Sequence, residues 1–164
     1  VVPFVPYAES PRLEPIAVLA EPDRLWLATA GSHRVHELDH AGRVSRTFGS
    51  GAPGGTDGMP EHQRFVRPAA LLGLPDHVLV ADAGAHTLRA LERRSGCSET
   101  WSGTGRRSTD RMGGAYARDQ GLCAPAALLA LDGTVVLAQP PLRQLWQFDP
   151  ATRAAAAWLG SGER

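Results

Sequence analysis

Lysine is missing from this chain. All seventeen cationic side chains are arginines, and they balance seventeen carboxylates to a formal net charge of zero. Without lysine, neither a Walker-type phosphate loop nor a Schiff-base nucleophile can be built. Without net positive charge there is no bulk attraction to nucleic acid or to an anionic membrane surface, and neither is expected as a partner. No run of eighteen apolar residues occurs, so no membrane-spanning helix is expected. Cysteine is scarce: Cys97 and Cys123 are the only two, and no Cys-x-x-Cys redox pair exists. Both read as small, partly buried apolar side chains, and a reducing, cytoplasmic compartment is expected. The opening Val1-Val-Pro-Phe-Val-Pro-Tyr7 has prolines and no cationic lead, unlike a signal peptide. The first residue is not Met, which reads as a processed chain or a piece of a longer one.

What the sequence has is repetition. Leu25-Trp-Leu-Ala-Thr-Ala-Gly-Ser-His-Arg-Val-His-Glu-Leu-Asp39 recurs as Val78-Leu-Val-Ala-Asp-Ala-Gly-Ala-His-Thr-Leu-Arg-Ala-Leu-Glu92. Pro15 to Pro68, Ala28 to Ala81, Gly31 to Gly84, His33 to His86 and Leu38 to Leu91 each keep an offset of 53. A third copy, Val135 to Asp149, follows at an offset of 57, with Ala138 in the place of Ala81. Each copy reads as two β-forming runs around a turn, with Gly84 expected to take positive φ at the reversal in the second. An apolar run follows the landmark proline, and a fourth run precedes Gly49-Ser-Gly51, Gly103-Thr-Gly105 and Gly160-Ser-Gly162. Each unit is therefore four short antiparallel strands, and a period this long indicates a propeller or solenoid.

The expected fold is all-β: a partial β-propeller of three four-stranded antiparallel blades, half of a six-bladed ring, with long loops on one face. Blade 1 is placed at 15–49, blade 2 at 68–102 and blade 3 at 125–164. Residues 1–14 form an N-terminal extension or a loop from a preceding blade, with Phe4-Val5 a candidate donated strand. The long connections are 50–67 and 103–124, with single helical turns expected over Met59–Phe65 and Ala115–Gln120. Pro140-Pro141-Leu142 replaces the Ala-Gly tip in blade 3, so that hairpin end is expected to differ. Three blades leave two apolar faces uncovered. The remaining blades of a longer chain or a second copy would complete the ring; the first is the expectation.

The repeat resembles the NHL family of β-propellers. The carriers are Arg67-Pro68-Ala-Ala-Leu71, Val78 to Arg89 and Gly103-Thr-Gly105. Unit one departs at Thr29, where the family has aspartate. Unit three departs at Gln139 and at Arg143 in place of the histidine. The likeness covers about nine-tenths of the chain. It implies a non-catalytic platform for protein or peptide, without cofactor. The Gly-Thr-Asp-Gly connections also look like those of NHL propellers that follow a thioredoxin-like domain. That implies, as an alternative, the propeller of a thioredoxin-like oxidoreductase. Other relatives imply a metal-dependent lyase or lactonase.

The candidate sites follow. His33, His86 and Asp82 are possible metal ligands; the competing reading is side chains that hold the repeat together. Arg64, Arg67, Arg106, Arg107 and Arg111, with Asp57 and Asp110, form the expected interaction face on the long connections. Arginine there suits a carboxylate, a phosphate or an acidic partner. Because Glu61 and Asp119 lie nearby, a mutually neutralised surface is the competing reading. Trp26, Trp101, Trp146 and Trp158 are expected to pack between blades or at their rim.

Overall fold

A computed structural model describes residues 14–114 and 119–160. Twelve strands form three four-stranded antiparallel sheets, each in simple sequential order. Blade 1 contains β1 (Pro15–Ala20), β2 (Leu25–Thr29), β3 (Arg34–Leu38) and β4 (Val44–Phe48). Blade 2 contains β5 (Pro68–Gly73), β6 (His77–Asp82), β7 (Thr87–Glu92) and β8 (Ser98–Ser102). Blade 3 contains β9 (Ala127–Leu131), β10 (Thr134–Gln139), β11 (Gln144–Phe148) and β12 (Ala155–Leu159). The strand that opens each blade lies against its counterpart next door, β1 with β5 and β5 with β9. These innermost strands line the arc.

The offsets translate directly into packing, because side chains alternate faces along a strand. One face of each blade, here the front, meets the back of the next. At the first junction Leu19, Trp26, Val35 and Phe48 from the front of blade 1 pack on Leu71, Val78, Val80 and Leu91 of blade 2. At the second junction Leu72, Leu79, Leu88 and Trp101 pack on Leu128, Val135, Leu137 and Phe148 of blade 3. Each front residue of the second set lies 53 positions after its counterpart in the first. Aromatic rings line both seams: Trp26 stacks on Phe48 within blade 1 with centroids 5.5 Å apart, and Trp101 stacks across the second seam on Phe148 at 6.2 Å. Burying one such side chain contributes about 1.5–3 kcal/mol, so the two junctions carry most of the folding energy. Away from the loop face, bridging ion pairs pin neighbouring blades: Arg93 with Glu21, and Arg153 with Glu99 at 2.8 Å.

The hairpin ends depart from expectation in an instructive way. Gly84 does not take positive φ; His86 does, at 55°, as do His33 and Arg143, each at 56°. The glycine is needed for space, since a Cβ there would meet Val66 at 2.6 Å. In blade 3 the tip is a single 3-10 turn over Pro140–Leu142 ending on left-handed Arg143, different in form as expected. Met59 begins one hydrogen-bonded turn, its carbonyl accepting from His62 and Gln63 at 3.0 and 2.9 Å; no helix extends to Phe65. The expected turn over Ala115–Gln120 falls largely, and Phe4-Val5 wholly, outside the described residues. Cys97 and Cys123 are both free thiols; Cys123 is buried in the second junction.

Candidate interaction face

The face is built where the β2–β3, β6–β7 and β10–β11 turns meet the two long connections. At each junction a turn residue reaches across to the segment entering the next blade. His33 Nδ1 donates to the Val66 carbonyl at 2.6 Å, since a carbonyl can only accept. His86 Nδ1 accepts from the Ala124 N–H at 3.0 Å. The same ring nitrogen therefore donates in His33 and accepts in His86. Asp82, fully buried, accepts from the N–H groups of Val66 at 2.9 Å, Arg67 at 2.7 Å and Ala85 at 3.1 Å. Gln139 does the same for the Cys123 N–H one blade on. Thr29 turns instead to its own hairpin, donating to the Arg34 carbonyl at 3.1 Å.

His33 and His86 are thus occupied in joining blades, at different junctions, and Asp82 in holding the segment that enters its own blade. Among the described residues no group of three or more His, Cys, Asp or Glu side chains comes together. Burial lowers the His86 pKa, and the nearby Arg107 guanidinium lowers it further against the opposing pull of Asp82. The imidazole is held neutral, as its acceptor role requires.

Asp57 and Asp110, in register in the sequence, do different work. Arg89 in β7 is fully buried between blades 1 and 2, and it anchors the first connection. Its Nε and Nη2 donate to Asp57 Oδ1 at 3.1 and 2.8 Å. It also donates to the Thr56 carbonyl and Ser98 Oγ, each at 2.7 Å, and to the Arg64 carbonyl. Its guanidinium carbon lies 4.5 Å from the centroid of the Phe65 ring, within cation–π range. Asp57 Oδ2 accepts from the Thr100 N–H at 2.8 Å. Nothing in the pattern of β7 marks Arg89 as internal except its apolar strand neighbours. In blade 3 its counterpart is Trp146, 57 positions later. Asp110 consequently has no buried cation to meet. It caps its own turn, accepting from the Met112 N–H at 2.9 Å, the Gly113 N–H at 3.3 Å and Gln120 Nε2 at 3.0 Å. The Gln120 amide leads those contacts in holding the carboxyl below its ordinary value.

Asp57 and Asp110 are engaged in these contacts, while Glu61 and Asp119 on the same connections are exposed. Arg64, Arg67, Arg106, Arg107 and Arg111 are all exposed. Among the described residues no carboxylate lies within ion-pair distance of any of the five. Glu61 lies 4.0 Å from His62.

No family model matches the sequence. Human NHL repeat-containing protein 2 is 30% identical over 103 residues, which is 63% of this chain and 14% of that protein. The chain thus spans about one-seventh of the length of that curated relative. A Bacteroides thetaiotaomicron structural-genomics protein of unknown function superposes with a TM-score of 0.63 at 16% identity, covering 82% of this chain and 32% of that one. Virginiamycin B lyase from Staphylococcus aureus gives 0.60 at 10% identity, covering 90% and 42%. At such identities the structural likeness speaks to the fold alone. Taken with the 53-residue repeat and three equivalent front-to-back blades, the similarity to the human relative supports an NHL-repeat β-propeller.

Proposed function

We propose that this propeller segment is a non-catalytic interaction module that takes an acidic protein or peptide on its long-loop face. The observation that carries this reading is the set of five exposed arginines without a carboxylate partner among the described residues. Guanidinium groups bind carboxylates bidentately, so a run of Asp or Glu is the complementary ligand. The scaffold suits such a task. The first connection is anchored by Arg89 and the second by Asp110, so a ligand meets a preformed surface with less ordering cost.

The test is fluorescence polarisation with a labelled oligo-glutamate peptide at low salt. Binding is expected, weakening on the order of tenfold by 0.3 M salt as screening sets in. The triple reversal R106E/R107E/R111E should abolish it. R94E, at an exposed arginine beyond the β7 end of blade 2, should leave it intact. Equal loss in both variants, or no binding at any salt, would refute the reading. Tighter binding of single-stranded DNA of equal charge would assign the face to another class of ligand.

A further inference from the structure

Two blade faces in this arc have no described strand against them, and they are opposite in kind. One is the front of blade 3; the other is the back of blade 1. The front of blade 3 carries Leu129, Leu145 and Trp158, exposed by 61%, 36% and 43%. By the repeat offsets these stand where Leu72, Leu88 and Trp101 stand in blade 2, and where Leu19, Val35 and Phe48 stand in blade 1. In both of those blades the three side chains are packed into a junction. A tryptophan held 43% exposed at the one position that twice buries an aromatic ring is a junction residue without its partner.

The back of blade 1 supplies the matching half. Val18 is 66% exposed and Ile16 on the same strand 38%, while Val44 on the far strand β4 is 45% exposed. Val18 occupies the position of Leu71, which receives the front of blade 1. The two free ends of the arc are thus halves of the same seam already formed twice inside it.

We propose that a second copy of this chain covers both ends. The front of blade 3 in each copy packs on the back of blade 1 in the other, forming a two-fold closed ring of six blades. Closure by two copies leaves no apolar end, which open head-to-tail addition cannot achieve. It also repeats an interface that the chain makes internally, so no new packing solution is required. The inference stands on the blade faces alone and is independent of the arginine-bearing loops.

The test is light scattering coupled to size exclusion across a range of concentration. The unmodified chain should elute with twice its monomer mass. V18R and L129R change side chains more than half exposed in a single copy, so the core of each copy is left as it was. Each variant alone should reduce the mass to that of a monomer while circular dichroism stays unchanged. Both must act, because every copy contributes one front and one back. Disruption by one variant only would indicate a like-to-like contact and overturn the ring. A monomeric unmodified chain would overturn it as well, and would leave the ends to further blades of a longer polypeptide.

Discussion

Asp57→Ala should be far more damaging than its register twin Asp110→Ala. Removing the Asp57 carboxylate deletes two hydrogen bonds from Arg89 and one from the Thr100 N–H. The Arg89 side chain stays wholly buried, now with its charge uncompensated by any carboxylate. Breaking a buried pair this way costs about 3–5 kcal/mol. Because the Asp57 side chain is 33% exposed, water can replace part of what is lost, and about 2–4 kcal/mol is the expected penalty. Asp110 is exposed and accepts from two N–H groups of its own turn and from the Gln120 amide, with no buried cation to strand, so its loss should cost about 1 kcal/mol. Urea unfolding at fixed protein concentration measures both. With a slope near ~2 kcal/mol/M, D57A should lower the midpoint by about 1–2 M and D110A by about 0.5 M. The double variant D57A/R89M should recover part of the D57A loss, since a buried apolar side chain tolerates the missing carboxylate. Equal losses for D57A and D110A, or a double variant worse than the sum of its singles, would refute Arg89 as the anchor.

Other outcomes follow from the same geometry. Gly103→Ala should destabilise by more than ~1 kcal/mol, because φ is +101° and a Cβ would meet the His86 carbonyl at 2.3 Å. Gly55→Ala, with nothing within 4 Å, should be neutral or mildly stabilising; urea unfolding measures both glycine variants. Stability should also depend on pH through His36 and His86. Burial lowers both pKa values, aided by Arg34 for His36 and by Arg107 for His86. The unfolded chain takes up these protons first, so the stabilisation is complete above about pH 6.5 and is lost as pH falls through the lower folded values. His86→Asn should flatten the urea midpoint between pH 7.5 and 5 relative to the unmodified chain; an unchanged slope would exclude His86 as a neutral acceptor.

The repeat was legible because strands alternate and because Pro, Ala, Gly and His landmarks keep one offset. That was enough to place the strands and order the sheets. It also gave the role of Asp82, since Gln139 can accept a backbone N–H from the same position. Three features were hidden. Arg89 reads as one polar residue in an alternating strand, and only the neighbouring blade and connection enclose it. The register of Thr56-Asp57 with Thr109-Asp110 suggested one role for two carboxylates, whereas position 89 and its counterpart 146 decide what each can bind. Gly84 looked like a positive-φ turn residue; its reason is the approach of Val66. In each case the deciding atom lies tens of residues away, where local pattern carries no information.

The central claim is that successive blades pack front to back through equivalent positions. Side-chain NOEs between Trp101 of blade 2 and Phe148 of blade 3, whose rings lie 6.2 Å apart, test it most directly. The account predicts cross-peaks between these rings and from Trp101 to the Leu137 methyls, alongside the Trp26–Phe48 contacts within blade 1. Contacts within blade 1 with none between blades 2 and 3 would contradict it.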